Sequence, residues 1–200
     1  MSSKGLLIVF SGPSGAGKDT VLKSLMEREP GVRLSVSATT RGPREGEQDG
    51  RDYYFISRER FDQLVAEDKM LEHAEYCGNC YGTPSEPIEA WTQEGCDVIL
   101  EIEVQGGAQI KKKRPDCVSI FILPPSLEVL EHRLRRRGTD SEEAIQKRLA
   151  AAKGEIAQAL QYDYVIVNDD LEPAVEQMAE ILRSEKQKSI RNKDFIERML

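Results

Sequence analysis

Long apolar runs are missing from the chain. The longest, Leu6 to Phe10, is far too short to span a bilayer. The opening Met-Ser-Ser-Lys-Gly carries no apolar stretch of the kind a signal peptide needs. An excess of positive charge is missing too: 28 Lys and Arg stand against 35 Asp and Glu, a formal net charge of −7. That balance argues against a general grip on nucleic-acid phosphates. Cysteine is sparse, with four in all. Cys77 and Cys80 form one C-x-x-C, but Cys96 and Cys117 are widely spaced and supply no second zinc knuckle. Four free thiols in a cytoplasmic protein are the expected state. Internal repeats and low-complexity linkers are absent from the sequence as well.

What is present suits one soluble globular domain of 200 residues, 39% hydrophobic and 32% charged. Short apolar runs alternate with amphipathic stretches. Residues 6–10, 97–104, 117–123 and 162–168 have the length and β-branched content of buried strands, and helical patterns cover 19–29, 58–68, 84–94, 106–113, 126–137, 141–160 and 171–188. This alternation predicts an α/β fold with crossover connections and a mostly parallel sheet covered on both faces. Two segments break the rhythm. Residues 34–83 mix short strand-like pieces with a Gly-, Pro- and charge-rich stretch, which predicts an inserted small antiparallel subdomain. Residues 126–155 carry five arginines, with a break at Gly138 and a new helix capped by Asp140 or Ser141, which predicts a helical lid. The tail places Ile196, Met199 and Leu200 at helical spacing and is expected to fray.

Residues 12–20 carry the clearest chemistry. Gly12-Pro13-Ser14-Gly15-Ala16-Gly17-Lys18-Asp19-Thr20 follows a strand pattern and precedes a helix pattern, the context a phosphate-binding loop requires. Glycines at 12, 15 and 17 are expected in torsions barred to other residues, so that successive N–H groups turn inward on one anion. The following helix adds its positive end, and Lys18 a mobile point charge for the β and γ phosphates. Asp19 stands where a serine or threonine is usual. Thr20 comes next, and its hydroxyl is available to a phosphate oxygen or a metal-bound water.

Five ordered stretches name an acceptor. They are residues 35–55 (SVSATTRGPREGEQDGRDYYF), Glu72 with 76–83 (YCGNCYGT), 100–107 (LEIEVQGG), 135–149 (RRRGTDSEEAIQKRL) and 165–170 (VIVNDD). Together they resemble the guanylate kinase family, from about Leu6 to about Leu182. The resemblance implies a three-layer nucleoside monophosphate kinase fold of P-loop NTPase type. Its core would be 1–33, 84–125 and 156–190, with a GMP-binding subdomain at 34–83, a lid at 126–155 and a tail at 190–200. It also implies transfer of phosphate from ATP, with Mg²⁺, to GMP or dGMP.

Residue by residue, the resemblance puts Arg41, Arg44, Tyr53 and Tyr81 on the GMP phosphate, where guanidinium forks and phenols suit its oxygens. Ser37, Glu72 and Thr83 match positions that read guanine; a carboxylate accepts from N1–H and the 2-amino group, which adenine does not offer. Glu101 and Glu103 match aspartates near the guanine edge and the hydrated metal. Two apart on a strand, they are expected on one face at its carboxyl end. Arg133, Arg137 and Arg148 match lid arginines that reach the transferring phosphoryl group and the ATP phosphates. Arg135 and Arg136 match no such position and are expected in solvent. Asn168 matches a position near the adenine, with a cap on the strand exit as the alternative. Taken singly, each of these residues also reads as an ordinary surface or strand side chain; the ordered set carries the assignment. An interaction module that has lost catalysis, and a same-fold kinase with another phosphorylated acceptor, are the rival expectations. Nucleic acid and membrane are not expected partners, and both a monomer and a homo-oligomer stay open.

Overall fold

The structure, a computed structural model, describes residues 4–76, 78–136 and 141–200. In chain order the first elements are β1 (Leu7–Ser11), α1 (Lys18–Arg28), β2 (Val32–Leu34), β3 (Ala38–Thr39), β4 (Tyr54–Phe55), α2 (Arg58–Ala66), β5 (Met70–Tyr76) and β6 (Asn79–Pro84). There follow α3 (Ser85–Gln93), β7 (Asp97–Glu101), α4 (Val104–Lys113), β8 (Val118–Leu123), α5 (Leu127–Arg136), α6 (Glu142–Ala157), β9 (Tyr164–Val167), α7 (Leu171–Gln187) and α8 (Lys193–Glu197). Every residue of β1 is buried, as an unbroken apolar run demands when both faces of a strand are covered. It is the middle strand of a mostly parallel sheet of order β2-β7-β1-β8-β9. By packing, the chain divides into two units: Phe10–Val32 with Val118–Leu200, and the stretch up to Val9 with Arg33–Cys117.

In the first unit α1 starts on Gly17, whose left-handed backbone (φ 95°) turns the loop into the helix. Val21, Leu22 and Leu25 form its buried stripe, with Asp19 in the first turn and Arg28 in the last, each sign on the favourable dipole end. β8 and β9 pair in parallel from Ile120↔Tyr164 to Leu123↔Val167. β9 departs from the expected buried strand. It is the edge of the sheet, and Val165 and Val167, which share one face, are about half exposed while Ile166 is buried. Ser141 caps α6 by accepting from Ala144 N at 3.3 Å, settling one of the two expected caps; Asp140 lies outside the described residues, with Arg137 and Gly138. Leu130, Leu134, Ile145 and Ala152 make the apolar seam of α5 and α6. Arg135 is not simply solvated. It bridges the two helices by pairing with Glu131 and Glu142, because both carboxylates project beside its long stem. The tail is helical at α8, and Tyr164, Lys188 and Arg191 all donate to the buried Glu185 at its approach.

In the second unit Asp97 Oδ1 accepts from Leu6 N at 3.0 Å, fixing β7 to the incoming chain. A four-stranded sheet has the order β4-β3-β6-β5. It is not wholly antiparallel as expected: β3 runs parallel to β4 (Ala38↔Tyr54, Thr39↔Phe55), because the long loop between them returns the chain to its starting end. β6, which sequence pattern alone did not mark as a strand, pairs antiparallel with both β3 and β5. Its register sets Glu72 opposite Thr83. Phe61 of α2 with Ala38, Met70 and Cys80 forms the local core. The free side of β5 is satisfied by a helix: Gln109 accepts from His73 N and donates to His73 O, as a strand would. Among the described residues Cys80, Cys96 and Cys117 form no disulfide; Cys77 lies outside the described residues.

Candidate active site

The loop between β1 and α1 folds back on itself. Ala16 N donates to Pro13 O at 3.0 Å, and Lys18 Nζ donates to Gly12 O at 2.8 Å. Gly15 and Gly17 have positive φ, but Gly12 does not. A Cβ at Gly12 would stand 2.4 Å from Ile122 O, so that glycine is needed for close approach to β8 rather than for an unusual torsion. Asn168, at the exit of β9, is buried and donates from Nδ2 to Ala16 O at 2.7 Å. Its own carbonyl accepts from Arg133 Nη2 at 2.9 Å. Arg148 Nη1 donates to Ser14 Oγ at 2.6 Å. The loop is thus held by side chains from a strand end and a distant helix. Arg133 Nη1 is buried without a hydrogen-bond partner.

A cleft of about 450 Å³ opens beside the loop, lined by Gly15, Gly17, Thr20, Arg133, Arg136 and Asn168 among others. Arg136 was expected in solvent; although exposed, it faces this cleft, because α5 brings the residues Arg133 and Arg136, one turn apart, to the same side. Thr20 lines the cleft, and Asp19 is exposed in the first helical turn.

A second cleft, of about 540 Å³, belongs to the other unit. Ser37, Tyr53, Glu72, Tyr81, Glu101 and Glu103 all line it. Glu72 is 8% exposed, and Thr83 Oγ1 donates to its Oε1 at 2.8 Å. Burial raises the Glu72 carboxyl above its ordinary range and the Glu103 charge adds to this, while the Thr83 hydrogen bonds pull the other way. Gly106 closes in on the other oxygen: a Cβ there would lie 3.1 Å from Glu72 Oε2.

Glu103 corrects one expectation. β7 ends at Glu101, and Glu103 is the N-cap of α4, which begins at Val104. The alternation Glu-Ile-Glu-Val suits a strand, but packing of Gly106, Gly107 and Ile110 as a buried helical stripe prevails. The two carboxylates still reach one cleft, one from a strand end and one from a helix start.

Beside that cleft, Arg41 lies over the rings of Tyr53 and Phe55, 5.5 and 5.8 Å from their centroids, and the Tyr53 and Tyr81 rings meet edge-on at 6.1 Å. Glu47 binds both terminal nitrogens of Arg41 at 2.9 Å. Arg41 and the Arg44 N–H hold the Glu47 carboxyl down at about 2, and Arg41 is itself raised. The Arg44 side chain is exposed. Gln105 and Gly106 line the cleft at the start of a helix, as the sequence reading has them, whereas Glu47 is a residue that sequence reasoning passed over and Arg136 one that it left in solvent.

The guanylate kinase family model matches residues 4–185. The chain belongs to the guanylate kinase family. A guanylate kinase of Synechocystis sp. is 54% identical over 184 residues, covering 92% of this chain and 96% of the relative. One of Desulfitobacterium hafniense is 54% identical over 182 residues, 91% of each chain. Among solved structures, the guanylate kinase from Anaplasma phagocytophilum superposes with a TM-score of 0.74 at 39% identity, covering 94% of this chain and 90% of that one. The family's members are phosphotransferase enzymes, and the mostly parallel sheet with its helices is an α/β fold of P-loop NTPase type.

Proposed function

We propose that this chain transfers the γ-phosphoryl group of ATP to GMP or dGMP, giving ADP and GDP or dGDP, as a step of purine nucleotide metabolism. One observation carries the acceptor: a buried carboxylate, Glu72, with one oxygen held by Thr83 and the other bare of hydroxyl donors, in a cleft bordered by the Arg41, Tyr53 and Tyr81 cluster. That pairing of a purine-edge acceptor with phosphate donors suits a guanine monophosphate. Ser37 would help read the base, Glu101 and Glu103 would border it, and Arg44 would join the phosphate donors. The subdomain at 34–83 would carry this site.

For ATP, the main-chain amides of 12–17 would cup the phosphates on the positive end of α1. Lys18 would leave Gly12 O for the β and γ oxygens. Thr20, lining that cleft, would offer its hydroxyl to a phosphate oxygen or to a water of a Mg²⁺ ion brought with the nucleotide. Among the described residues no three His, Cys, Asp or Glu side chains gather into a metal cluster. Bound Mg²⁺ supplies neutralisation of phosphate charge. Arg133 and Arg148, already anchored beside the loop, would stabilise the charge that spreads over the equatorial oxygens, with Arg137 of the lid segment 126–155 as a third donor. Asn168 would border the adenine while holding the loop.

No side chain is needed as a covalent nucleophile: the acceptor phosphate oxygen attacks, and the protein positions and screens charge. No helix among the described residues is long and apolar enough to cross a membrane, and the proposed setting is the cytoplasm, where both nucleotides reside. ADP release measured across GMP, dGMP, AMP and UMP tests the proposal. Turnover with GMP and dGMP alone is expected; turnover with another acceptor favours a different kinase, and none with any of them favours an interaction module.

A further inference from the structure

Arg41 is gripped at its terminal nitrogens, while its Nε is covered and unpartnered. Its Nη1 and Nη2 donate to Glu47 Oε2 and Oε1, each at 2.9 Å, and Nη1 also donates to Gly42 O at 2.8 Å. Its Nε is buried and has no hydrogen-bond partner. A guanidinium is a rigid plane of five donors, so fixing the terminal pair also fixes where the Nε edge points. A buried donor left unmade is costly unless something arrives to accept from it.

Glu47 admits two roles of opposite sign. As a stand-in anion it would hold Arg41 until phosphate displaced it, and removing it would strengthen phosphate binding. As a support it would stay in place, and removing it would weaken binding. Three observations favour the support. Its Oε2 also accepts from Arg44 N at 2.7 Å, and its own N–H donates to Arg44 O at 3.1 Å, so the residue is tied into its turn from both directions. The paired side chains are largely covered, 14% and 20% exposed. The Arg41 plane is also fixed from a third side by the rings of Tyr53 and Phe55.

We propose that Glu47 is a positioning residue for the acceptor phosphate, clamping the terminal nitrogens of Arg41 so that the guanidinium plane and its charge are held in one place beside the acceptor cleft. This deepens, and rests on, the guanylate kinase reading above.

The full chain is compared with Glu47→Ala and Glu47→Gln by calorimetric titration with GMP and, separately, with guanosine, alongside steady-state KM for ATP. The support role predicts a drop of roughly 10-fold in the ratio of GMP to guanosine affinity, as expected for one misaligned charge-assisted contact. Guanosine affinity and the KM for ATP should stay put. Stronger GMP binding by either variant would overturn the proposal in favour of the stand-in, and so would equal losses for GMP and guanosine. Thermal unfolding is followed in parallel; if the alanine variant does not fold, the nearly isosteric glutamine variant decides. Failure of the unaltered chain to prefer GMP over guanosine would instead overturn the underlying reading, and this inference with it.

Discussion

The two clefts are built by different means. The one beside residues 12–17 is built of main chain: a strand end, a turn with two left-handed glycines and the first amides of α1, with Asn168 and Arg148 acting as struts. The other is built of side chains from β5, β6, β7 and the start of α4, with Ser37 and Tyr53 from the residues just before β3 and β4. Main-chain amides recognise phosphate in any nucleotide, because nothing in a backbone N–H reads a base. Side chains such as Glu72 discriminate, because a buried acceptor left unpaired penalises the wrong ligand. The contrast predicts that damage to the first cleft lowers rate for every acceptor alike, while damage to the second changes which acceptor is used.

Lys18→Met gives the largest expected effect. Loss of a preorganised donor to the transferring phosphate should cut turnover by roughly 10²- to 10³-fold. GMP affinity, measured by titration without ATP, should not change. A variant that keeps near-normal turnover would remove the charge role from the loop and leave its amides alone in that part.

Next comes Glu72→Ala, where GMP-over-AMP discrimination in kcat/KM should fall by roughly 100-fold, as for loss of a charged hydrogen-bond acceptor. Stability should move little, since the deletion also relieves the burial that already raises this carboxyl. Unaltered discrimination would place guanine recognition elsewhere in the cleft.

Asn168→Ala tests the struts. Removing the buried bond to Ala16 O should raise the KM for ATP by roughly 10-fold, in keeping with about 1 kcal/mol or a little more for one such bond. The KM for GMP should hold steady. Equal changes in both constants would mean that the strut serves the whole fold.

The same contrast explains what was legible in the sequence. The phosphate loop is contiguous, so nine neighbouring residues state it, and the helices that follow were placed within a few positions. The acceptor cleft is dispersed. Glu72 and Thr83 meet only through the β5–β6 register, and β6 has too much Gly and Pro for pattern to declare it a strand. It took the family resemblance to pick those residues out. Glu47 escaped because a glutamate in a Gly- and Pro-rich loop reads as solvated, and no helical or strand period links it to Arg41. Glu103 was placed on a strand because alternation looks the same until a tertiary partner, here β5 through Gln109, selects the helix. Gly12 was right in kind and wrong in reason: only the approach of Ile122 O shows that space, not torsion, excludes a side chain.

The smallest effect concerns pH, and it separates the two carboxylates of the acceptor side. Glu47 is held down at about 2 by Arg41, so its clamp on Arg41 stays ionised through mildly acid solution, and any change at the phosphate end comes from the monoester, which itself takes up a proton near pH ~6. Glu72 is shifted the other way, first by burial and then by Glu103. The groups facing it are Thr83, which donates to it, Glu103 as the nearby charge, and Glu101 and Glu75 along the same cleft. As pH falls, Glu72 therefore takes up its proton before an ordinary glutamate does, and a protonated carboxyl no longer accepts two hydrogen bonds from guanine. Stability runs in the opposite sense: a raised carboxyl favours the fold below its unfolded value and loses that contribution as pH rises through the folded one. GMP affinity should thus decline by a few-fold on acidification while the melting temperature gains rather than loses from this residue, an offset that Glu72→Gln should abolish. Titrations with GMP and guanosine at stepped pH distinguish the sites. A decline for guanosine assigns an effect to the base end, whereas steady guanosine affinity with a decline for GMP alone leaves only the monoester's own protonation and would contradict the role given to the raised Glu72.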